Sequence, residues 1–586
     1  MSTGSMGRLY IGSSGLQANQ YAMNTTAHNL ANIETTGYSR QQVLMTDRIY
    51  QNLNMQTLAP SLSGTGTTYQ QSRQLRDELV DRSYRSENGR ESYYTTMHEN
   101  LYEIQDYFGE LEGSTFRDTM QDLWSAFEEL AKDTNNVVNR SALVAYSSNF
   151  ISKANEIYNS LNTYRENLNT QIKDQVSRIN EIGEEIWKLN KEIVKIEGSN
   201  IEKANDYKDQ RNNLLDELSS IIDVKIHTNK DQSIDVFVED RVLVTTGKVM
   251  KMGTALVEED SPFVKPVWED DQSDVFDFYK IPSASTKSDI GGLKGVLMSR
   301  GDDYHINYTG IPVGGTQDEI NAYNHDLEPY SIANVIAQFD QLIHSMVTAI
   351  NDKLCPNKEV TLDDGTTINI LDERLVADDG TVINEGTAGV GMGQGNEKAG
   401  TELFTRTTTE RYKTQTVTIG GKSVEVQVYQ DELPADTTLV PPKSQTYYTL
   451  GYITINEDLV KNPSLLPLSG LDGSELQDRA KEIVDLWNQN YIRLSPNTLV
   501  DDNYGSYYTN MITNFSDKAY TYNAIAESAA QAVIKYDDER QQQLGVSSEE
   551  ELTNMIKYQS AYNASSRYIN VVSEMLEHII TRLGGG

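Results

Sequence analysis

GVSSEEELTNMIKYQSAYNASSRYINVVSEMLEHIITRLG, residues 545–584, decides the architecture. Met555, Tyr562, Ile569, Leu576 and Leu583 recur every seven residues, and Tyr558, Ser565, Val572 and Ile579 follow each of the first four by three. Spacing of this kind predicts a helix with one narrow apolar seam, which is what a coiled-coil partner needs; a helix facing a globular core carries a wider stripe. Ser547 with Glu550, or Ser548 with Glu551, supplies a capping box at its start, and the glycines at 584–586 stop it. From Ser548 to Leu583 such a helix runs roughly 50 Å.

The other end of the chain carries a matching seam. Leu9, Leu16, Met23 and Leu30 lie seven residues apart, with Gly15, Ala18, Ala22, Ala27 and Ala31 between them, and Thr35, Thr36 and Gly37 end the helix. Two seams at two termini pair with each other, and any apolar face left over drives lateral packing of copies in a heterologous, non-closing contact.

Working inward, Phe116, Met120, Leu123, Trp124, Phe127 and Leu130 form the wider stripe of a bundle helix. Ile172, Ile179, Ile186 and Ile193 again show seven-residue spacing, but Ile182, Leu189 and Ile196 widen the stripe, so a core-facing helix is the preferred reading. After residue 222 the period changes to two. VKIHT, SIDVFVED and RVLVTTG alternate, TVTIGGKSVEVQVY turns at Gly420 and Gly421, and LDDGTTINI and ADDGTVINE predict two tight turns at Gly365 and Gly380. SIANVIAQFDQLIHSMVTAIND interrupts this region with helical spacing, and a further helix is expected from Tyr522 to Leu544.

The predicted fold class is therefore multidomain α+β and discontinuous, with terminal coiled-coil helices, a helical bundle and inserted β-rich outer domains. The expected divisions are 1–50 (N-terminal coiled-coil helix), 51–222 (bundle), 223–468 (β-rich outer insertion with one helical segment near 330–352), 469–521 (return to the bundle) and 522–586 (C-terminal coiled-coil helices). A length of 586 residues fits several such units.

Composition excludes several functions. A net charge of −36 with no clustered run of Lys and Arg disfavours nucleic acid and anionic membranes. No stretch has the roughly 18 apolar residues of a membrane span, and the expectation is a soluble chain that leaves the cell, if it does, without a conventional signal peptide. A single cysteine, Cys355, rules out an internal disulfide framework and multi-cysteine zinc sites. The seven histidines are scattered, HExxH, GxSxG and Walker patterns are missing, and the glycines at 64–66 and 389–395 lack the strand and helix of a dinucleotide fingerprint. No catalytic residue, cofactor or metal is expected.

At both ends the residues themselves are familiar. GLQANQ and NLANIETTGYSR, between Gly15 and Arg40, resemble the N-terminal signature of bacterial flagellar rod, hook and hook-associated axial proteins, carried by Asn29, Asn32, Gly37, Tyr38 and Arg40. The C-terminal stretch is similar to the last helix of that superfamily. LWSAFEELAKDTNNVVNRSALV, DYKDQRNNLLDEL with Asp209, Gln210 and Arg211, and GGLKGVLMSR resemble, within it, the hook-associated protein 1 family of junction proteins. Departures are the added stretch from Cys355 to Gly400 and the spacing after Gly64.

The resemblance implies a structural subunit of the extracellular flagellum at the hook-filament junction, exported through the flagellar type III pathway. Its implied partners are copies of itself, hook protein, the second hook-filament junction protein and an export chaperone that holds the C-terminal region. Another axial protein, or an adhesin-like or enzymatic outer domain on such a subunit, stays open as an alternative.

Overall fold

A computed structural model describes the chain except for residues 1, 36, 49–50, 53–61, 65, 75, 110–114, 199–202, 279, 313, 385–392, 395–400, 408, 431–446, 471–473 and 584–586. Along the chain the elements are α1 (Ser2–Ala31), β1 (Gln41–Asp47), β2 (Gln51–Asn52), β3 (Leu62–Ser63), β4 (Thr67–Gln74), α2 (Glu78–Tyr107), α3 (Phe116–Lys132), α4 (Val137–Glu197) and α5 (Asn205–Ile221). There follow β5 (Val224–Thr228), β6 (Ile234–Val238), β7 (Arg241–Val244), β8 (Met252–Leu256), β9 (Val264–Trp268), α6 (Gly292–Arg300), α7 (Gln317–Asp326) and α8 (Ser331–Leu354). Then come β10 (Asn357–Thr361), β11 (Thr367–Leu371), β12 (Leu375–Val376), β13 (Val382–Asn384), β14 (Phe404–Arg406), β15 (Tyr412–Ile419), β16 (Lys422–Tyr429) and β17 (Ile453–Ile455). The chain closes with α9 (Glu457–Lys461), α10 (Gln477–Leu486), α11 (Tyr504–Leu544) and α12 (Ser548–Leu583).

The bundle forms because its helices start cleanly and bury continuous stripes. Thr115 and Asp118 close a capping box on α3, and Asn136 caps α4 by accepting from the amides of Val138 and Asn139. Over its 61 residues α4 buries Ile172, Ile179, Ile186 and Ile193 completely, so its seven-residue spacing serves the core. Helices α2 and α11 lie side by side: Arg540 meets Asp81 at one end, and Phe515 and Tyr508 meet Phe108 at the other, so they run antiparallel.

Three sequence expectations are corrected here. First, residues 223–468 are not simply an outer insertion. One apolar cluster extends from Tyr93 to Ala526 and includes Val236, Val238, Trp268, Phe339, Phe404 and Tyr448 beside the bundle residues. Buried arginines tie these parts to α4: Arg140 donates to the carbonyls of Thr134, Ser464 and Leu466, and Arg300 bridges Asn169 of α4 and the carbonyl of Val264. Among the described residues, only the group around Ile370, Leu375, Val424 and Val426 stands as a separate small cluster, at the sheet β10-β11-β16-β15. Its turns have the backbone expected of Asp-Gly and Gly-Gly, with φ of +85° at Gly365, +80° at Gly380 and +60° and +75° at Gly420 and Gly421.

Second, that region holds more helix than the segment near 330–352. The helix α6, GLKGVLMSR, is buried on every side, Lys294 and Arg300 included, so its nine residues show no apolar face to read. It fits because glycines bring backbones together: a Cβ on Gly295 would sit 2.9 Å from the Tyr93 carbonyl, and one on Gly291, where φ is +96°, 2.7 Å from that of Ile221.

Third, residues 41–47 and 67–74 are neither coiled-coil helix nor bundle. β1 and β4 form an antiparallel ribbon, Gln41 opposite Gln74 and Asp47 opposite Thr67, laid against α1. QQVLMTD and TTYQQSRQ are largely polar because one side of the ribbon is solvated, so period-two alternation of apolar residues is weak. The helix expected from Tyr522 likewise begins at Tyr504, since its first turns bury tyrosines at 504, 507 and 508, whose hydroxyls make the segment read as polar.

Candidate assembly interface and its joint to the body

Both chain ends leave the body together. Helices α1 and α12 pack along each other, and neither contributes to the large apolar cluster among the described residues. Their approach is close because glycines face it: a Cβ on Gly12 would lie 2.6 Å from Ile569 Cγ1, and one on Gly15 would lie 2.9 Å from Ser565 Oγ. On another side α1 meets the β1-β4 ribbon, where Tyr21 stacks on Tyr69 with ring centroids 4.8 Å apart.

The two seams sit differently from each other. In α1 the deepest residues are Ser14, Ala18, Ala22, Thr26 and Asn29, a small-residue stripe, while Leu9, Leu16, Met23 and Leu30 are half-buried beside it. In α12 Met555, Tyr562, Ile569 and Leu576 are half-buried and Val572 is fully buried; the side chain of Leu583 lies outside the described residues. The remaining face of α12 is uncovered. Tyr568, Val571, Met575 and Ile579 follow one another at intervals of three or four residues, with Met575 53% and Ile579 46% exposed, and Leu552, Ile556 and Ile580 are exposed too. Tyr10 and Tyr21 add apolar surface on α1.

The signature residues build a joint between this helix pair and the body. Tyr38 donates to Asn29 Oδ1 at 2.8 Å, and Asn29 both accepts from the Gln41 amide at 3.0 Å and donates to the Gln41 carbonyl at 2.9 Å, closing the turn after α1. Burial, then the carboxylates of Asp206 and Asp209, push the Tyr38 phenol up, which keeps it a neutral donor. Asn32 donates back to the His28 carbonyl at 2.9 Å. Gly37 has φ of +76° and sits so close to Asn213 of α5 that a Cβ would lie 2.0 Å from its Oδ1. Arg40 joins the two ends of the chain: its guanidinium pairs with Glu550 at 2.9 Å and Glu551 at 2.8 Å, and its amide donates to the Leu544 carbonyl at 3.0 Å.

The next layer is ionic and buried. Asp209 accepts from the Ser39 amide at 3.0 Å and the Ser39 hydroxyl at 2.6 Å. Behind it runs an alternating chain, Arg76 to Asp81 to Arg540 to Asp216 to Arg85, in which Arg540 donates to both Asp81 and Asp216 at 2.7 Å. Arg540, 7% exposed, also lies 4.0 Å over the ring of Tyr84. Burial alone would raise the Asp81 carboxyl, but the neighbouring Arg76, Arg85 and Arg540 outweigh it and hold Asp81 below the usual carboxylate range. At Asp209 burial wins over the Ser39 bonds and Arg76, and its carboxyl is pushed up to about 6.

Of the DQR triplet, then, Asp209 serves the joint, Gln210 is exposed, and Arg211 turns away to Asn190 and the Gln232 carbonyl. Sequence reasoning missed Ser39, Arg76, Asp81, Arg85, Asp216, Arg540 and the receiving role of Glu550 and Glu551. For Asp81, Arg85, Asp216 and Arg540 the signal is a charge on the inward face of a helix, visible only once the facing helix is known, while Ser39 and Arg76 sit in connections and carry none. Among the described residues no group of three or more His, Cys, Asp or Glu could hold a metal ion, and no helix is long and apolar enough to cross a membrane.

Three family models match separate parts of the chain. Residues 9–38 match the family model described as flagella basal body rod protein, and residues 540–582 match that of the flagellar basal body rod FlgEFG protein C-terminal. Paired terminal segments of this kind define an axial flagellar subunit. Residues 101–354, the bundle and its β elements, match the flagellar hook-associated protein FlgK helical domain. Flagellar hook-associated protein 1 of Bacillus subtilis (strain 168) is 23% identical over 585 residues, covering 97% of each chain. That of Salmonella typhimurium (strain LT2) is 22% identical over 580 residues, covering 97% of this chain and 98% of its own. A solved structure titled as the flagellar hook junction protein FlgK from Burkholderia pseudomallei aligns with a TM-score of 0.49 at 12% identity, covering 80% of this chain and 100% of that one. The chain thus carries a hook-associated protein helical domain between the terminal segments of flagellar rod proteins, is similar over nearly its whole length to flagellar hook-associated protein 1, and is a structural component of the flagellum.

Proposed function

We propose that the chain is a non-enzymatic adapter that joins hook to filament by polymerising through its terminal helices. The observation that carries this reading is the uncovered apolar face of α12, from Leu552 to Ile580, on a helix pair that stands outside the main core. Burying a half-exposed side chain of this size is worth about 1 kcal/mol, so a neighbour covering the face gains several kcal/mol per subunit. The seam residues Leu9, Leu16, Met23, Leu30, Met555, Tyr562, Ile569, Leu576 and Leu583 are assigned to this layer, and those from Leu9 to Leu576 set the α1-α12 pairing, which in turn aims the open face outward. Copies of the chain, hook protein and the second junction protein are the partners that would cover it, and an export chaperone would shield the C-terminal region beforehand. Those partners imply a secreted chain that works in the extracellular flagellum.

The test is the double substitution Met575→Asp with Ile579→Asp. Both side chains are exposed in the isolated subunit, so its helicity and thermal midpoint should stay unchanged while incorporation into flagella is lost. Normal filaments in cells carrying only this variant would refute the proposal.

A further inference from the structure

In a chain of net charge −36, one cleft gathers positive charge. β4, the first turns of α2, the start of α5 and the β5-β6 hairpin enclose about 710 Å³, within the range of small-molecule sites. Arg73, Arg82, Lys203, Lys208, Arg211 and Lys225 line it, Arg76 and Arg85 reach it from the joint, and the lining carboxylates are Glu78 and Asp81. Asp81 is already taken by Arg76 and Arg540.

The positive charge is incompletely answered by the protein. Glu197 is shared between Lys203 at 3.3 Å and Lys208 at 2.8 Å, and Lys225 pairs with Asp240. Arg73 donates to a neutral amide, Gln42. Arg211, only 6% exposed, donates through Nη1 to Asn190 at 2.8 Å and to the Gln232 carbonyl at 3.0 Å, both neutral, and its buried Nε has no partner. Held only by neutral oxygens, the Arg211 guanidinium has no carboxylate bonded to it and keeps its charge at the cleft. Guanidinium forks match phosphate oxygens in pairs.

We propose that this cleft binds a compact multivalent anion of the phosphate class, with Arg211 on its floor and Arg73 and Arg82 at its mouth. Compactness follows from the arrangement: the cations converge from four elements on one half-open cleft instead of lining up along a groove that an extended acidic segment would need. The chain's overall negative field opposes casual attraction of anions, so binding here has to come from this local cluster.

The probe is sodium tripolyphosphate, titrated calorimetrically into the full-length chain at ionic strength near 0.15 M, with the double variant R73Q/R82Q beside it. Its control is K173Q/K188Q, which removes equal charge from exposed positions of α4. Saturable single-site binding is expected, weakened about tenfold or more in R73Q/R82Q, a loss of about 1.4 kcal/mol, and within about twofold of the parent in the control. Failure of the full-length chain to bind saturably would overturn the proposal, as would equal weakening in both variants. Tighter, cleft-dependent binding of a polyglutamate peptide than of tripolyphosphate would also overturn it, by assigning the cleft to an acidic segment.

Discussion

Arg540 is the residue on which the joint between the terminal helices and the body turns, and replacing it with methionine tests how that joint is held. Methionine keeps the volume and the helix while removing both donated bonds, at 2.7 Å to Asp81 and 2.7 Å to Asp216, and the contact over Tyr84. Hydrogen bonds between charged groups are worth about 1.5–3 kcal/mol each, and removing one partner of a buried pair costs about 3–5 kcal/mol. Here each carboxylate keeps a second arginine, Arg76 for Asp81 and Arg85 for Asp216, so the lower end applies, about 3 kcal/mol. That is roughly a 150-fold change in an opening equilibrium. Native-state hydrogen exchange reads it locally, which suits a chain too large for a single two-state transition. Peptides spanning residues 39–47 and 536–552, which include the Arg40 amide bonded to Leu544, should exchange about a hundredfold faster, with α8 unchanged. Acceleration below about threefold at the joint, or equal acceleration throughout the core, would refute the reasoning.

Three further outcomes are expected. Gly12→Val places methyl groups where Ile569 already sits, and overpacking of this kind costs about 1–3 kcal/mol, so α1 and α12 should separate more readily under limited proteolysis while the bundle stays resistant. Asp209 has a carboxyl near 6 in the fold against about 3.8 when free, so the folded joint binds a proton more tightly than the unfolded chain. Its stability contribution is therefore greatest at acid pH and falls as pH rises through about 6; exchange at residues 39–47, corrected for intrinsic rates, should be slower at pH 5 than at pH 7.5, and Asp209→Asn should remove that difference. Gly365→Ala forces a side chain into φ of +85° in open surroundings, so it should loosen only the β10-β11 hairpin, by about 1 kcal/mol, and leave swimming speed in soft agar unchanged.

What the sequence made legible and what it hid have one physical origin. Periodicity reports which face of an element is apolar, so the stretch of α4 from Ile172 to Ile196, the helix α12, the Asp-Gly hairpins and the pairing of the two ends were readable from spacing alone. It says nothing about which neighbour covers that face. Ile172 to Ile193 and Met555 to Leu576 share one spacing, yet the first set is sealed in the core and the second is half-covered by a single helix. Elements without a periodic signal went unread: α6, buried on every side with Lys294 and Arg300 among its residues, and the polar β1-β4 ribbon, which packs against α1. The joint was half legible. Asn29, Gly37, Tyr38, Arg40 and Asp209 stood out by resemblance, whereas Arg76, Asp81, Asp216 and Arg540 come from three separate helical regions and look like ordinary surface charges until those helices are packed.

Covering of the α12 face in the assembled flagellum can be measured directly with a single thiol. Cys355, the native cysteine, is fully buried, and burial pushes its thiol up to about 12, so it stays silent to a maleimide in the folded chain. Met575→Cys then reports one position on the open face. Rapid labelling of the free subunit and protection of at least about a hundredfold in intact isolated flagella is the expected result. Equal labelling in the two states would mean that the apolar ridge of the last helix is not where copies meet.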